Sequence, residues 1–317
     1  MDDTDRKLML LMFEDPRMPV RELARRLGIS RQAVHHHMQT LKKAGVFREI
    51  KAAVSSYYLD GVPVMVWGRS RATSVDTVLE SLGETEFTTR VTVAGGNELF
   101  IFAYLRKISD LAKYVDFVRN AGEMPETTVG FPCYGDGINP IFYDGGRRRE
   151  SYRKLSALDL KVIASLQEDA RKPIADIAKD IGVSRRTVKR LMERMKTEGL
   201  LEFDSPWDIP SREEMVTIVS VTLKKDANNV KSAKRLLLTD PIHFIYIRAF
   251  GNLPSFLLGL ISSDRMTEIR NILKAIREDE DVLAVIPNLI YFEREYNPWC
   301  TSWSPEVVDL LRPRMRP

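Results

Sequence analysis

The 317-residue sequence predicts an α+β fold in which a winged helix-turn-helix and a ferredoxin-like βαββαβ domain each occur twice. Residues 5–46 and 159–200 align without a gap, 154 positions apart, and each copy contains three helical patterns. Each copy is followed by the same alternation of strand and helix patterns. Because an internal repeat outweighs local signals in deciding architecture, we expect one duplicated unit.

The repeated module has the helix-starting, helix-ending and capping residues of a helix-turn-helix. In the second copy, Pro173 can begin a helix, Gly182 can end it in a left-handed turn, and Ser184 can cap the next. This order of helix, glycine turn and capped helix is typical of DNA-binding modules. Residues identical in the two copies include Asp5 and Asp159, Arg17 and Arg171, Pro19 and Pro173, Gly28 and Gly182, and Ser30 and Ser184.

The third helix of the second copy is expected to read DNA. Val188, Leu191, Met192 and Met195 form its apolar stripe, and Arg194 is expected on the opposite side with the other basic residues. Arginine and lysine at the start of such a helix can donate to guanine edges or neutralise phosphates. The predicted DNA-contacting residues of this copy are Ser184, Arg185, Arg186, Thr187, Lys189 and Arg190.

The first copy has the same framework with different outer residues. Its predicted DNA-contacting residues are Ser30, Arg31, Gln32, His35, His36 and Gln39. Glutamine can pair with adenine through two hydrogen bonds, so the two copies should prefer different bases. Three consecutive histidines do not predict a metal site, because helical chelation needs residues three or four apart. No catalytic set, cofactor motif or metal-ligand spacing is found in the sequence.

The charge is divided in a way that fits nucleic-acid binding. Residues 1–51 carry a net +4 and residues 147–203 a net +6, whereas all other residues together carry −6. Only two cysteines occur, and the sequence contains no secretion signal and no apolar run long enough for a membrane span. We therefore expect a cytoplasmic protein that binds double-stranded DNA and no membrane.

The segments after each module predict the βαββαβ domains. The first half has strand patterns near 62–68, 86–93, 98–105 and 126–133, with helices near 74–82 and 108–120. The second half has strands near 214–223, 242–250, 256–262 and 282–292, with helices near 228–238 and 265–278. A short wing hairpin is expected within 47–59, and a stunted wing after Gly199. The predicted domains are 1–60, 61–142, 143–210 (a linker with the second module) and 211–317.

This order of domains resembles the Lrp/AsnC (feast/famine) transcription regulators. The residues that carry the resemblance are Leu158-Asp159, Asp169-Ala-Arg171, Gly182-Val-Ser184 and Glu198-Gly199-Leu200, with Val91–Phe100 in the sensor domain. The resemblance implies a RAM-type domain that pairs through its sheet and binds a small effector near hairpin glycines. In this sequence the ligand-binding residues would be Gly95, Gly96, Asn97, Gly251 and Asn252. Because this chain is doubled, the pairing could be a homodimer or an intrachain pseudo-dimer.

Two other interpretations stay open from the sequence. The stretch His243–Leu253 loosely resembles a strand motif of siroheme decarboxylases, in which Arg248 could bind a propionate and His243 could transfer a proton. Alternatively, Cys133 or Cys300 could make the chain a haem- or redox-sensing regulator. The basic outer faces of the third helices favour a DNA-binding regulator that reads two unequal half-sites, modulated by a small ligand, over an enzyme.

Overall fold

The computed structural model describes residues 2–47, 50–54, 58, 61–133, 155–167, 169–203 and 214–296. The chain forms two compact units, each of which combines parts of both halves. One unit contains residues 1–6, 62–140 and 209–298, and the other contains residues 7–61, 141–208 and 299–317. Residues 143–154, which begin the predicted linker, and Cys300 lie outside the described residues. Within the described part of the chain, every helix is too short or too polar to cross a membrane.

The helices and strands follow the predicted order closely. In chain order they are α1 (Asp3–Glu14), α2 (Val20–Leu27), α3 (Arg31–Lys43), β1 (Ala52–Val54), β2 (Val62–Arg69), α4 (Val75–Gly83), β3 (Thr88–Ala94), β4 (Glu98–Leu105), α5 (Leu111–Ala121), β5 (Thr128–Gly130), α6 (Ala157–Ser165), α7 (Ile174–Ile181), α8 (Arg185–Thr197), β6 (Leu201–Phe203), β7 (Met215–Leu223), α9 (Asn229–Thr239), β8 (Phe244–Phe250), β9 (Leu253–Ser263), α10 (Met266–Arg277) and β10 (Val282–Glu295).

Both helix-turn-helix modules form as the glycine and serine pattern predicts. Helices α2 and α7 end at Gly28 and Gly182, whose φ angles of 70° and 73° are the left-handed values that glycine tolerates best. The Ser30 hydroxyl then accepts from the Ala33 amide at 3.0 Å, which caps α3. The Ser184 hydroxyl accepts from the Thr187 amide at 3.1 Å and caps α8 in the same way.

Arg194 does not lie on the outer face of α8, so that prediction is wrong. Its side chain is only 21% exposed and forms an ion pair with Asp159, a carboxylate that is fully buried in α6. Asp159 also accepts from the Ser156 amide at 2.7 Å in a capping box. A buried carboxylate requires a charged partner, and the 35-residue separation between the two positions hid this pairing from the sequence pattern.

The segment of the expected wing contains β1, while residues 48–49, 55–57 and 59 of that segment lie outside the described residues. Strand β1 of the first module pairs antiparallel with β6 of the second, with Ala52 opposite Phe203 and Val54 opposite Leu201. Two further backbone hydrogen bonds join the modules, from Ala52 to the Leu166 carbonyl at 3.2 Å and from Ala170 to the Ile50 carbonyl at 2.7 Å. Each of these short strands therefore obtains ladder hydrogen bonds from the other module.

The other unit contains an eight-stranded antiparallel sheet. Its order is β5-β2-β4-β3-β10-β7-β9-β8, so each half contributes the same ferredoxin-like arrangement of four strands. Strand β3 of the first half pairs with β10 of the second, from Ala94 opposite Ile290 to Arg90 opposite Glu295. Helices α4 and α5 pack on the first half around Val66, Leu79 and Ile101. Helices α9 and α10 pack on the second.

The two halves also meet near the end of β8. Pro132 forms an isolated antiparallel bridge with Phe250, and the Gly251 amide donates to the Phe131 carbonyl at 2.9 Å. Trp67 packs beside this junction, with ring centroids 5.4 Å from both Phe250 and Phe256. Because the halves contact each other at both junctions, their separation would expose apolar side chains that are now buried.

Candidate functional site: the paired helix-turn-helix modules and a sensor cleft

The outer face of α8 is basic and exposed. Arg185, Arg186, Lys189 and Arg190 are all exposed. Lys189 has one weak contact, 3.7 Å from the Glu193 carboxylate, in a pair whose two side chains are more than 65% exposed. Exposed pairs of this kind contribute little stability and are easily replaced by phosphate contacts. This helix can therefore present four cationic side chains to a polyanion.

The outer face of α3 is exposed but differs in chemistry. Arg31, Gln32, His35, His36 and Gln39 are all exposed, whereas His37 is half-buried. His35 and His36 occupy the positions of Lys189 and Arg190 in the repeat. Amide and imidazole groups offer both donors and acceptors, while Lys and Arg offer donors only. The two helices therefore present unlike hydrogen-bonding groups on the same framework.

Three of the predicted DNA-contacting residues have structural roles. The hydroxyls of Ser30 and Ser184 cap their helices, as described above, and Thr187 is half-buried with its hydroxyl 2.9 Å from that of Ser184. These side chains hold the first turns of α3 and α8 in place. The N-terminal amides of those turns and the positive ends of the helix dipoles favour an anion such as a phosphate.

An arginine of each module binds the backbone of the other. The Arg171 guanidinium donates to the carbonyls of Pro16 at 2.6 Å and Met18 at 3.0 Å. The Arg17 guanidinium donates to the carbonyls of Ala170 and Lys172, the latter at 2.8 Å. Each contact is the other one shifted by 154 positions. We refer to this pair of reciprocal contacts as the arginine exchange.

Burial and charge at the arginine exchange partly offset each other. Burial lowers the pKa of both guanidiniums, and repulsion from Arg171 lowers the pKa of Arg17 further. The negative charges of Asp15 and Asp169 raise the pKa of both guanidiniums. These carboxylates also accept from the amides of Arg17 at 3.1 Å and Arg171 at 2.7 Å. Arginine stays charged in proteins, so the exchange provides charge-assisted hydrogen bonds between the modules.

Arg17 and Arg171 recur in the repeat, but the sequence pattern alone assigns them no role. A usable signal was present, because most outer charged positions differ between the copies while this arginine recurs in both. A charged residue that is kept in both copies of a diverged repeat is a candidate for a contact between those copies. The carbonyl partners cannot be predicted from the side-chain pattern, because every residue has a backbone carbonyl.

The two predicted hairpin sites have different surroundings. Gly96 and Asn97 have φ angles of 70° and 58° and lie at the tip of the β3–β4 hairpin. The Gly95 carbonyl accepts from the Asn288 amide at 3.1 Å, a contact from β10. In the second half, the Asn252 side chain bonds the backbone of Phe131 at 2.9 Å and Val129 at 2.8 Å. Gly251 and Asn252 thus lie at a junction between the two halves.

A cleft of about 950 Å³ opens beside the first hairpin. Its lining includes Gly96 and Asn97 of the predicted ligand-binding residues, together with Trp67, Arg69 and Arg71 from β2 and the residues that follow it. Clefts of this size accommodate small organic molecules. Gly68 allows the strand to approach the Glu126 carbonyl oxygen so closely that a Cβ there would collide with it.

The residues of the decarboxylase-like stretch are largely buried. Arg248 is 3% exposed, and its guanidinium lies over the rings of Phe102 at 4.8 Å and Tyr246 at 5.0 Å. The His243 ring lies between two carboxylates, with Nδ1 2.9 Å from Asp240 and Nε2 3.2 Å from Glu268. Burial raises the pKa of the Tyr246 hydroxyl. These side chains do not line the cleft beside the first hairpin.

Cys133 is half-buried beside Gly251, and burial raises the pKa of its thiol. A raised pKa lowers the fraction of thiolate, which is the form that binds iron or is oxidised. The environment of Cys133 therefore gives no support to a haem or redox role.

Comparison with known proteins identifies both modules. Residues 1–48 match a family of winged helix-turn-helix DNA-binding domains, and residues 155–196 match the AsnC-type helix-turn-helix domain. The chain is 26% identical over 116 residues to the transcriptional regulator LrpA of Pyrococcus horikoshii, which covers 36% of this chain and 82% of that protein. It is 27% identical over 55 residues to the regulator FL11 of Pyrococcus furiosus, spanning 17% of this chain and 36% of that protein.

One solved structure resembles the chain along almost its whole length. The siroheme decarboxylase NirDL matches 98% of each chain with a TM-score of 0.59 and 12% sequence identity. At this identity the likeness concerns the fold alone. It confirms that a duplicated arrangement of helix-turn-helix and ferredoxin-like domains occurs in a known protein.

Proposed function

We propose that the chain is an internally duplicated DNA-binding transcription regulator of the Lrp/AsnC type, which reads two unequal half-sites. The observation that carries the proposal is the pair of exposed third helices with unlike outer faces. Phosphate neutralisation by the basic side chains would supply most of the affinity. The different groups on α3 and α8 would supply different base preferences.

The same chain would provide both halves of the reading unit, as an intrachain pseudo-dimer. Three contacts support this proposal: the β3–β10 pairing, the β1–β6 pairing and the arginine exchange. Helix-turn-helix dimers place their reading helices about one helical turn of DNA apart, roughly 34–36 Å. A homodimer presents two identical readers, whereas a duplicated chain can present two different ones. The expected operator is therefore an imperfect palindrome.

A small ligand at the cleft beside the first hairpin would modulate DNA binding. The cleft contains Gly96 and Asn97, and its residue Trp67 packs against Phe250 and Phe256 of the second half. A ligand that contacts Trp67 can therefore favour one packing of the two halves over another.

Selection of bound duplexes from a random pool tests the proposal. We expect an enriched motif with two dissimilar half-sites, bound with an affinity that falls steeply between about 50 and 200 mM salt. The same preparation titrated with a tetrapyrrole and followed by absorbance tests the enzyme interpretation. A regulator should give the motif and no saturable spectral change. Saturable tetrapyrrole binding without an enriched motif would replace this proposal with the enzyme.

A further inference from the structure

The cleft beside the first hairpin has the chemistry of an anion site. Resting on the proposed regulatory function, we propose that its ligand is a small organic anion with at least two negative charges, held by Arg69 and Arg71. A neutral or purely zwitterionic molecule would leave this pair of cations without a matching partner.

Arg69 and Arg71 project to the same side of the chain. Both are exposed, whereas Ser70 between them is 5% exposed and its hydroxyl donates to the Gly122 carbonyl at 2.7 Å. Residues two apart in an extended segment share a face, so the two guanidiniums flank the same opening. Within the described part of the chain, neither guanidinium has a hydrogen bond or ion pair.

The acidic groups near the cleft do not neutralise the pair. The Glu98 carboxylate accepts from the Asn288 amide at 2.6 Å, so that contact fixes it toward β10. Glu126 is exposed, and within the described residues its carboxylate forms no ion pair with Arg69 or Arg71. Arginine has a planar fork of donors that matches a carboxylate or phosphate with two hydrogen bonds. Two such forks at one opening favour a ligand with two anionic groups or one doubly charged group.

The second half of the chain has no equivalent of this arginine pair. At the 154-residue offset, Arg69 corresponds to Leu223, which is 1% exposed, and Arg71 corresponds to Lys225. Trp67 corresponds to Val221, which is fully buried. The anion site therefore belongs to the first half only, and the sensor domains would be as unequal as the DNA-reading helices.

Calorimetric titration of the full chain without DNA tests this proposal. The probes are citrate and inorganic pyrophosphate, with leucine as a zwitterionic probe. We expect one anion per chain at the cleft, and a loss of at least tenfold in affinity for the Arg69→Ala/Arg71→Ala variant. Lys225→Ala is the matched control and should bind as the parent chain does.

The basic faces of α3 and α8 can also attract these probes, so a Lys189→Ala/Arg190→Ala variant is titrated in parallel. Retention of binding in that variant and loss in Arg69→Ala/Arg71→Ala supports the cleft as the site. The opposite pattern, equal binding of leucine, or no binding of either anion would overturn the proposal. DNA binding is measured on the same variants without anion. A chain that binds DNA but no anion would overturn the anion site and leave the proposed regulatory function standing.

Discussion

Replacing Lys189 and Arg190 with alanine is expected to lower the affinity for the specific duplex by about 100-fold at moderate salt. Both residues are exposed, so the loss should come from missing phosphate and base contacts and not from unfolding. The slope of log affinity against log salt should become shallower by about two, one for each lost phosphate contact. Fluorescence anisotropy over a salt series measures both quantities.

The matched control is the pair His35 and His36, which occupy the same two positions in the first module. Their replacement by alanine should lower affinity by about tenfold and change the salt slope less than the Lys189 and Arg190 substitution does, because lysine and arginine release counterions when they neutralise phosphates. An equal effect of the two double substitutions on the salt slope would contradict the unequal roles assigned to the modules.

Replacing Arg17 or Arg171 with alanine is expected to destabilise the paired modules by about 2–4 kcal/mol for each substitution. Each arginine binds two backbone carbonyls of the other module, and its removal leaves two half-buried acceptors unpaired. Lysine at either position should recover only part of the loss, since it lacks the planar fork. Chemical denaturation followed by circular dichroism gives the change in the free energy of unfolding.

Arg25 provides the control for this substitution. Its side chain is 70% exposed and pairs only with Glu22 on its own helix among the residues described, so Arg25→Ala should leave the free energy of unfolding almost unchanged. The arginine exchange should also fix the spacing of the reading helices. The parent chain should reject an operator lengthened by half a helical turn, about 5 base pairs, more strongly than Arg17→Ala does. An unchanged free energy of unfolding in both Arg17→Ala and Arg171→Ala would contradict the stabilising role of the arginine exchange.

The helices and most strands could be predicted from the sequence because their signals are local. Gly28 and Gly182 end helices through a backbone angle, and Ser30 and Ser184 cap the next helices one turn away. Each of these signals lies within a few residues of the structure that it determines. The same is true of the β3–β4 hairpin, which turns at Gly95–Asn97.

The contacts between the halves could not be predicted, because their partners are distant in sequence. The alternation in β1 indicates a strand but carries no information that β6 of the other module completes its hydrogen bonds. Arg194 has the helical phase of an outer residue, yet its long side chain reaches the buried Asp159. The cleft arginines gave no motif at all, since Arg69 and Arg71 form a site only beside the hairpin that β4 brings to them.

The central claim is that one chain reads two unequal half-sites. Hydroxyl-radical footprinting of the selected duplex, together with native mass measurement of the complex, tests it most directly. We expect one chain per duplex and two protected regions about one helical turn apart. Substitution of Lys189 and Arg190 should remove one of these regions, and substitution of His35 and His36 should weaken the other. Two chains on a symmetric footprint, with both regions lost to the same substitution, would contradict it.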